Sequence, residues 1–401
     1  MQNDFPAQPP PDPRLSAHQP AGGAVLLLFL ARGSLCLATA PSSPSQGWQR
    51  RDLGGVRIRR DLPYGVCTDF ASALSVPAAD GSQALHLALV VNDGQGDHLY
   101  LSLWNPAADP AWSTAPAWIA CPFDAGASRT RLAITRVQIG DAGDRPFIVA
   151  EAVVDPQGAA PRRARYAIDI GRATAPTVSP LLAPRWIEHK LPIDGQAEVY
   201  ACCLGRSRGG WDVDGVYLAA SGSDGAQLLY APLYNPFNPM QPRWSRRLEL
   251  PGQLAVDAIA PCRNADNTSD LYVSAQGGLY YFSASNQFEG AQGLLIGQAP
   301  VFADLRSLCA VAVGKRVTVW GLNRAGQVIQ TSAPGVYVAD PAAWTAPRVV
   351  LSNAQAIAPC PDVETDADTC FAYTNNGLVK LTRPDYGRWM TQAIVLPPHD
   401  M

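Results

Sequence analysis

The sequence predicts an all-β chain, a seven-bladed β-propeller of four-stranded antiparallel blades. Three observations carry that prediction: phrases that recur at long range, a hairpin signature repeated along the chain, and a Trp that opens one strand per unit. The composition agrees with them. Thirty-six Pro and 34 Gly against four Met in 401 residues leave little room for long helices.

ADPAWSTAP at 108–116 returns as ADPAAWTAP at 339–347, and LYLSLWNP at 99–106 returns as LYAPLYNP at 229–236. AIAPC occurs at 258–262 and again at 356–360. Self-similarity at such distances is the mark of a repeat architecture. A β-sandwich needs no such repeat, whereas a ring of small sheets packed face to face does.

The two middle strands of each unit are the clearest. They read LLFLARGSLCLATAP, LALVVNDGQGDHLYLSLW, VYLAASGSDGAQLLYAPLY, LYVSAQGGLYYFSAS, VTVWGLNRAGQVIQTSAP and CFAYTNNGLVKLTRP, with a weaker copy in FIVAEAVVDPQGAAPRRARYAIDI. Each joins two apolar runs through Gly, Asn or Asp, residues that accept positive φ in tight turns. The next strand opens on a Trp in six units: Trp48, Trp112, Trp186, Trp244, Trp344 and Trp389. The unit near 293 lacks it. Trp104 and Trp211 fall outside this register and read as individual surface or loop residues.

The first 23 residues are Pro-rich and read as a flexible arm, leaving 24–401 as a single propeller domain. The innermost strand of the first blade must then come from RLSAHQ or be missing. AVLLLFLA at 24–31, with ATA at 38–40, invites a signal-peptide reading. Arg32 directly after the run, Asp4 and the lack of a basic cluster argue against it, and the run is too short to span a bilayer.

The innermost strand sets the candidate site. Glu198, Asp257, Asp304 and Gln355 each precede a Cys by five residues (Cys203, Cys262, Cys309, Cys360), and Asp69 precedes Leu74 at the same spacing. In that register the five polar residues circle one mouth of the axial channel. Such a ring would hold a cation, a partner's Lys or Arg, or a polyol. Alternatively, each carboxylate caps backbone N–H groups at a blade junction. The Cys read as buried free thiols, because one repeat position in different sheets stands about 10 Å apart and a disulfide needs less than about 7 Å. A thiol-rich chain without a disulfide framework points to the cytoplasm, or to secretion without a conventional signal peptide.

A net charge of −3 with no basic block argues against nucleic acid as the main partner. No HExxH, GxSxG, P-loop or dinucleotide fingerprint is present, so no cofactor or metal is expected beyond a cation at the mouth. RNADNTSDLY, PDVETDADTC and WDVDGVY match no Ca²⁺-loop pattern and read as solvated turns.

The unit VTVWGLNRAGQVIQTSAPGVYVADPAAWTAP resembles that of propeller lectins from fungi and bacteria, and the likeness of layout covers residues 24–397. The resemblance implies a non-enzymatic carbohydrate-binding protein with sugars seated between blades on the repeated Trp. The Arg–Glu pair of the fucose-binding branch, the sialidase-type SxDxGxTW box and the WD signature are absent. A scaffold or toxin-associated module that binds a protein partner at the acidic mouth is the alternative, followed by a glycan-cleaving enzyme.

Overall fold

The computed structural model describes residues 14–20, 23–41, 46–54, 64–75, 83–104, 117–123, 131–141, 146–158, 161–169, 185–188, 198–207, 213–222, 225–232, 246–266, 268–360, 368–384 and 387–397. Strands dominate them, and the only helices among them are short 3-10 turns.

Seven antiparallel sheets follow in chain order, each running from an inner to an outer strand. Blade 1 is Leu15–His18, Leu26–Ala31, Ser34–Thr39 and Gln49–Gly54. Blade 2 is Val66–Leu74, Leu85–Asn92, Asp97–Trp104 and Ile119–Cys121. Blade 3 is Leu132–Asp141, Pro146–Val154, Arg162–Asp169 and Arg185–Glu188. Blade 4 is Glu198–Ser207, Val213–Gly222, Gly225–Pro232 and Arg246–Glu249, with Ala291–Gln292 added in parallel at its outer edge. Blade 5 is Val256–Arg263, Ser269–Ala275, Gly278–Phe282 and Leu294–Gln298. Blade 6 is Leu305–Val313, Arg316–Asn323, Val328–Pro334 and Arg348–Leu351. Blade 7 is Ala354–Pro359, Asp368–Thr374, Gly377–Arg383 and Met390–Ala393.

Each inner strand packs beside the inner strand of the next blade, and the last, Ala354–Pro359, returns to Leu15–His18. That closed circuit of contacts defines the ring. RLSAHQ therefore does supply the first inner strand, so the propeller takes in residues that composition alone assigns to the arm.

Between neighbouring blades lies one apolar cluster each. Blades 1 and 2 share Leu28, Leu35, Phe70 and Leu89, and blades 2 and 3 share Leu99, Ile134, Val137 and Tyr166. Blades 7 and 1 share Leu27, Phe29, Phe371 and Leu378. The second strand of blade 1 thus buries Leu26 and Leu28 toward one neighbour, and Leu27 and Phe29 toward the other. A strand covered on both faces reads as an unbroken apolar run. The leader-like AVLLLFLA owes its composition to this. Among the described residues no strand is exchanged between the last blade and the first, and an apolar side-chain cluster joins them.

A β-bulge recurs near the start of the inner strand in six blades. The extra residues are Thr68, Thr135, Tyr200, Asp257, Arg306 and Gln355. A bulge steepens the local twist, which suits a strand that must stand upright along the axis while its sheet fans outward.

The eight Cys whose side chains are described are all free, seven of them buried. Burial pushes the thiols of Cys36, Cys67, Cys121 and Cys262 up to about 12, which holds them un-ionised.

Candidate functional site

The bulge supplies the structural register of the inner strands, and it separates the five residues predicted to form one ring. Asp257 and Gln355 occupy the bulge itself, Asp304 and Glu198 stand two residues before it, and Asp69 one residue after it. The Cys divide in the same way: Cys262 and Cys360 lie five residues after the bulge, Cys203 and Cys309 three. The uniform spacing of five to a Cys is therefore not a uniform position. The side chain of Glu198 lies outside the described residues.

Asp69 does not open onto the mouth. It is 5% exposed, its Oδ1 lies 2.8 Å from Arg14 Nε, and its Oδ2 accepts the Val137 N–H at 2.7 Å. Arg14 also donates Nη1 to the carbonyls of Phe70 and Val137. The cation on this carboxylate is the chain's own, and the group ties blade 1 to blades 2 and 3. Burial pushes Asp69 up to about 6, with Arg14 and the Val137 N–H pulling the other way.

The remaining polar residues at the mouth have local duties too. Asp257 Oδ2 accepts the Gln276 N–H at 3.1 Å in the hairpin of its own blade. Gln355 Nε2 donates to Asn375 Oδ1 in the corresponding hairpin of blade 7. Asp304 has φ 57°, and Asn353, at the same position before blade 7, has φ 65°. Asp and Asn tolerate this left-handed conformation better than most residues, so the acid at 304 answers a backbone demand. Arg306, exposed at the bulge of blade 6, donates to the carbonyls of Ala354 and Gln355 and links two blades at the rim.

Four of the six predicted Trp are described, and each packs inside the ring wall. Trp344, Trp389 and Trp48 stand edge-on to Tyr272, Trp320 and Phe371, at centroid separations of 6.0, 5.1 and 6.1 Å. Those three partners belong to the second strand of the preceding blade. Each pairs with the inner-strand residue three beyond the bulge: Ala260, Cys309 and Ala358. A small inner residue opposite a large aromatic is what the narrowing space toward the axis requires. Trp186 donates Nε1 to the Cys121 carbonyl at 3.2 Å and packs on Phe123 and Tyr166.

In blade 2 the equivalent is Trp118. Its Nε1 donates to the Leu53 carbonyl at 2.9 Å, again from one outer strand to the outer strand before it. Trp112, assigned to that position by its phrase, lies outside the described residues, as do Trp244 and Trp211. The signal missed in the sequence is the pair Trp118-Ile119-Ala120 and Trp186-Ile187-Glu188. Trp104 is a further correction: it is a core residue, 4% exposed, packed between blades 1 and 2.

A large cleft lies between blades 7 and 1, with a volume of about 720 Å³. Phe29, Arg32 and Arg50 line it from blade 1, and Tyr373, Gly377 and the chain's tail at Leu396 line it from blade 7. It opens on the bulge side of the ring, next to Asn375. Arg32 sits in the hairpin turn at φ 51° with its side chain exposed. Arg50 lies over the Phe29 ring, 5.6 Å from its centroid, and donates Nη2 to Cys36 Sγ. Gly377 has φ 107° and nothing within 4 Å of where a Cβ would stand. A second, smaller cleft of about 120 Å³ lies between blades 4 and 5, with Arg247 and Glu249 on its wall. No group of His, Cys, Asp and Glu among the described residues could hold a metal ion. Among the described residues no helix is long and apolar enough to cross a membrane.

No family model matches the chain, and no curated protein matches it in sequence. Solved structures do match it in shape. A candidate 6-phosphogluconolactonase from Bacteroides fragilis aligns over 93% of this chain and 95% of its own at 11% identity, with a TM-score of 0.51. A puromycin-hydrolyzing peptidase from Mycobacterium tuberculosis aligns over 95% of this chain at 15% identity and a TM-score of 0.53; the alignment spans 53% of the peptidase. A fucose-specific lectin from Aleuria aurantia aligns over 98% of both chains at 10% identity, with a TM-score of 0.41. At these identities the likeness is one of fold.

Proposed function

We propose that this propeller is a non-enzymatic carbohydrate-binding protein that takes its ligand in the cleft between blades 7 and 1. The observation that carries the reading is the make-up of that cleft. Apolar and aromatic walls (Phe29, Tyr373, Leu396) face a few polar groups that converge on the same space (Arg32, Arg50, the Tyr373 hydroxyl). This is the usual construction of a small-molecule site, and aromatic faces with hydrogen-bond donors suit the C–H and O–H faces of a sugar.

The reading differs from a lectin built on every repeat. The described Trp are engaged in packing, and the proposed cleft occupies one blade junction, so the expected stoichiometry is one glycan per chain. Glycan-array screening followed by calorimetry tests it. Binding with a stoichiometry near one, weakened about tenfold or more by Tyr373→Ala, is the expected result; silence across the array overturns it.

A protein partner at the mouth is the second reading. Its support is the exposed Asp304 beside Asp257, whose carboxyl is raised by burial and then by Asp304. Charge reversal at Asp304 separates it, since a partner of this kind loses affinity while glycan binding stays.

A further inference from the structure

The charge on the cleft walls narrows the ligand class. The charged residues lining it are Arg32 and Arg50, and no carboxylate is among them. They differ in how they are held. Arg50 is packed on Phe29 and bonded to Cys36 Sγ, and the same thiol lies 3.3 Å from Asp52 Oδ1, so a carboxylate stands behind Arg50. Arg32 is exposed at the turn and enters no ion pair with a described residue.

Across the cleft, the Tyr373 hydroxyl makes no hydrogen bond with described residues, and the bare backbone at Gly377 leaves open space beside it. A guanidinium and a phenol therefore face a common space as donors without an acceptor. A planar guanidinium matches an oxyacid group with two parallel N–H···O bonds, whereas a neutral hydroxyl offers it one acceptor and no charge. The chain carries a net charge of −3, so attraction for an anion must come from local groups such as these and not from the chain as a whole.

We infer that the sugar bound between blades 7 and 1 is an acidic one, its carboxylate or sulfate held by Arg32 and its ring lying against Tyr373. The inference rests on the glycan reading above and deepens it. A neutral sugar would leave the Arg32 guanidinium solvated at the rim.

The test is an array of matched backbones in neutral and acidic forms: galactan against galacturonan, xylan against glucuronoxylan, and desulfated against sulfated galactan. Calorimetry on the best oligosaccharide pair follows. The expected result is at least a tenfold preference for an acidic form, with affinity falling as salt rises. The uronate and sulfate arms identify which oxyacid is read. Arg32→Asn tolerates the left-handed turn and should reduce the preference to within about twofold, while Arg32→Lys should keep part of it. Equal binding of neutral and acidic forms overturns the acidic inference and leaves the glycan reading standing. A preference unchanged in Arg32→Asn overturns the assignment to Arg32. Silence to all forms removes both.

Discussion

Tyr217 donates its hydroxyl to Gln287 Oε1 at 2.5 Å, across the interface between blades 4 and 5. Blade 5 has no Trp. Tyr217 holds the second-strand position that Tyr272, Trp320 and Phe371 hold in the following blades, opposite the inner-strand residue Cys203. Where those three meet an indole, Tyr217 meets a fully buried amide, which also donates to the Ser269 carbonyl.

Replacing Gln287 by Leu should therefore cost about 2–3 kcal/mol, because the buried Tyr217 hydroxyl loses its acceptor at 2.5 Å and keeps only the Ser269 carbonyl at 3.5 Å. Adding Tyr217→Phe should recover about 1 kcal/mol of that. Urea unfolding of both single variants and the double variant measures the coupling. Additive losses would show that the hydroxyl finds another partner.

Trp389→Ala should destabilise the fold by about 3 kcal/mol, since the indole is packed on Trp320 between blades 6 and 7. Glycan affinity should stay within twofold. A large loss of affinity at unchanged stability would return the repeated Trp to the role of sugar platforms.

Arg14→Ala removes the ion pair to Asp69 and leaves that carboxyl buried among the ends of blades 1, 2 and 3. About 3 kcal/mol is expected, near the low end for a broken buried pair because Arg14 is 28% exposed. Asp69 is an acid raised in the folded state, so its contribution to stability falls as pH rises from 3.8 toward about 6. Without Arg14 the carboxyl should titrate higher still, which carbon-detected NMR of the labelled Asp can follow.

His86 gives the opposite slope. Burial lowers it from 6.5 to about 4, and it is 8% exposed, so the neutral ring is favoured in the folded state. Its contribution is complete above pH 6.5 and is lost as pH falls through about 4, amounting to about 3 kcal/mol. His86→Gln should flatten the acid limb of the stability–pH curve by about one proton. An unchanged limb would place the acid sensitivity elsewhere.

The fold was legible because the hairpins are local. Gly33, Gly94, Gly277 and Gly377 adopt positive φ in turns between apolar strands, and those turns mark blades 1, 2, 5 and 7. The inner-strand register was not legible. A bulge adds one residue with no compositional sign, and Asp is placed at 304 by turn geometry, at 257 by a hairpin contact and at 69 by Arg14. Three causes produced one spacing. The long repeated phrase points to Trp112, whereas hydrogen bonding follows the shorter Trp-Ile match at Trp118. The cleft left no trace in the sequence: Arg32 and Arg50 come from the first blade, Tyr373 and Gly377 from the last, and only the closure of the ring brings them together.

The first and last blades touch through side chains without sharing a sheet, and the proposed binding cleft lies at that seam. An occupant there would bear on both ends of the folded chain and act as a clasp, so ligand occupancy and resistance to opening of the ring become one measurable quantity. Hydrogen exchange in Leu26–Ala31 and Gly377–Arg383 should slow together on binding, while the blades opposite keep their rates.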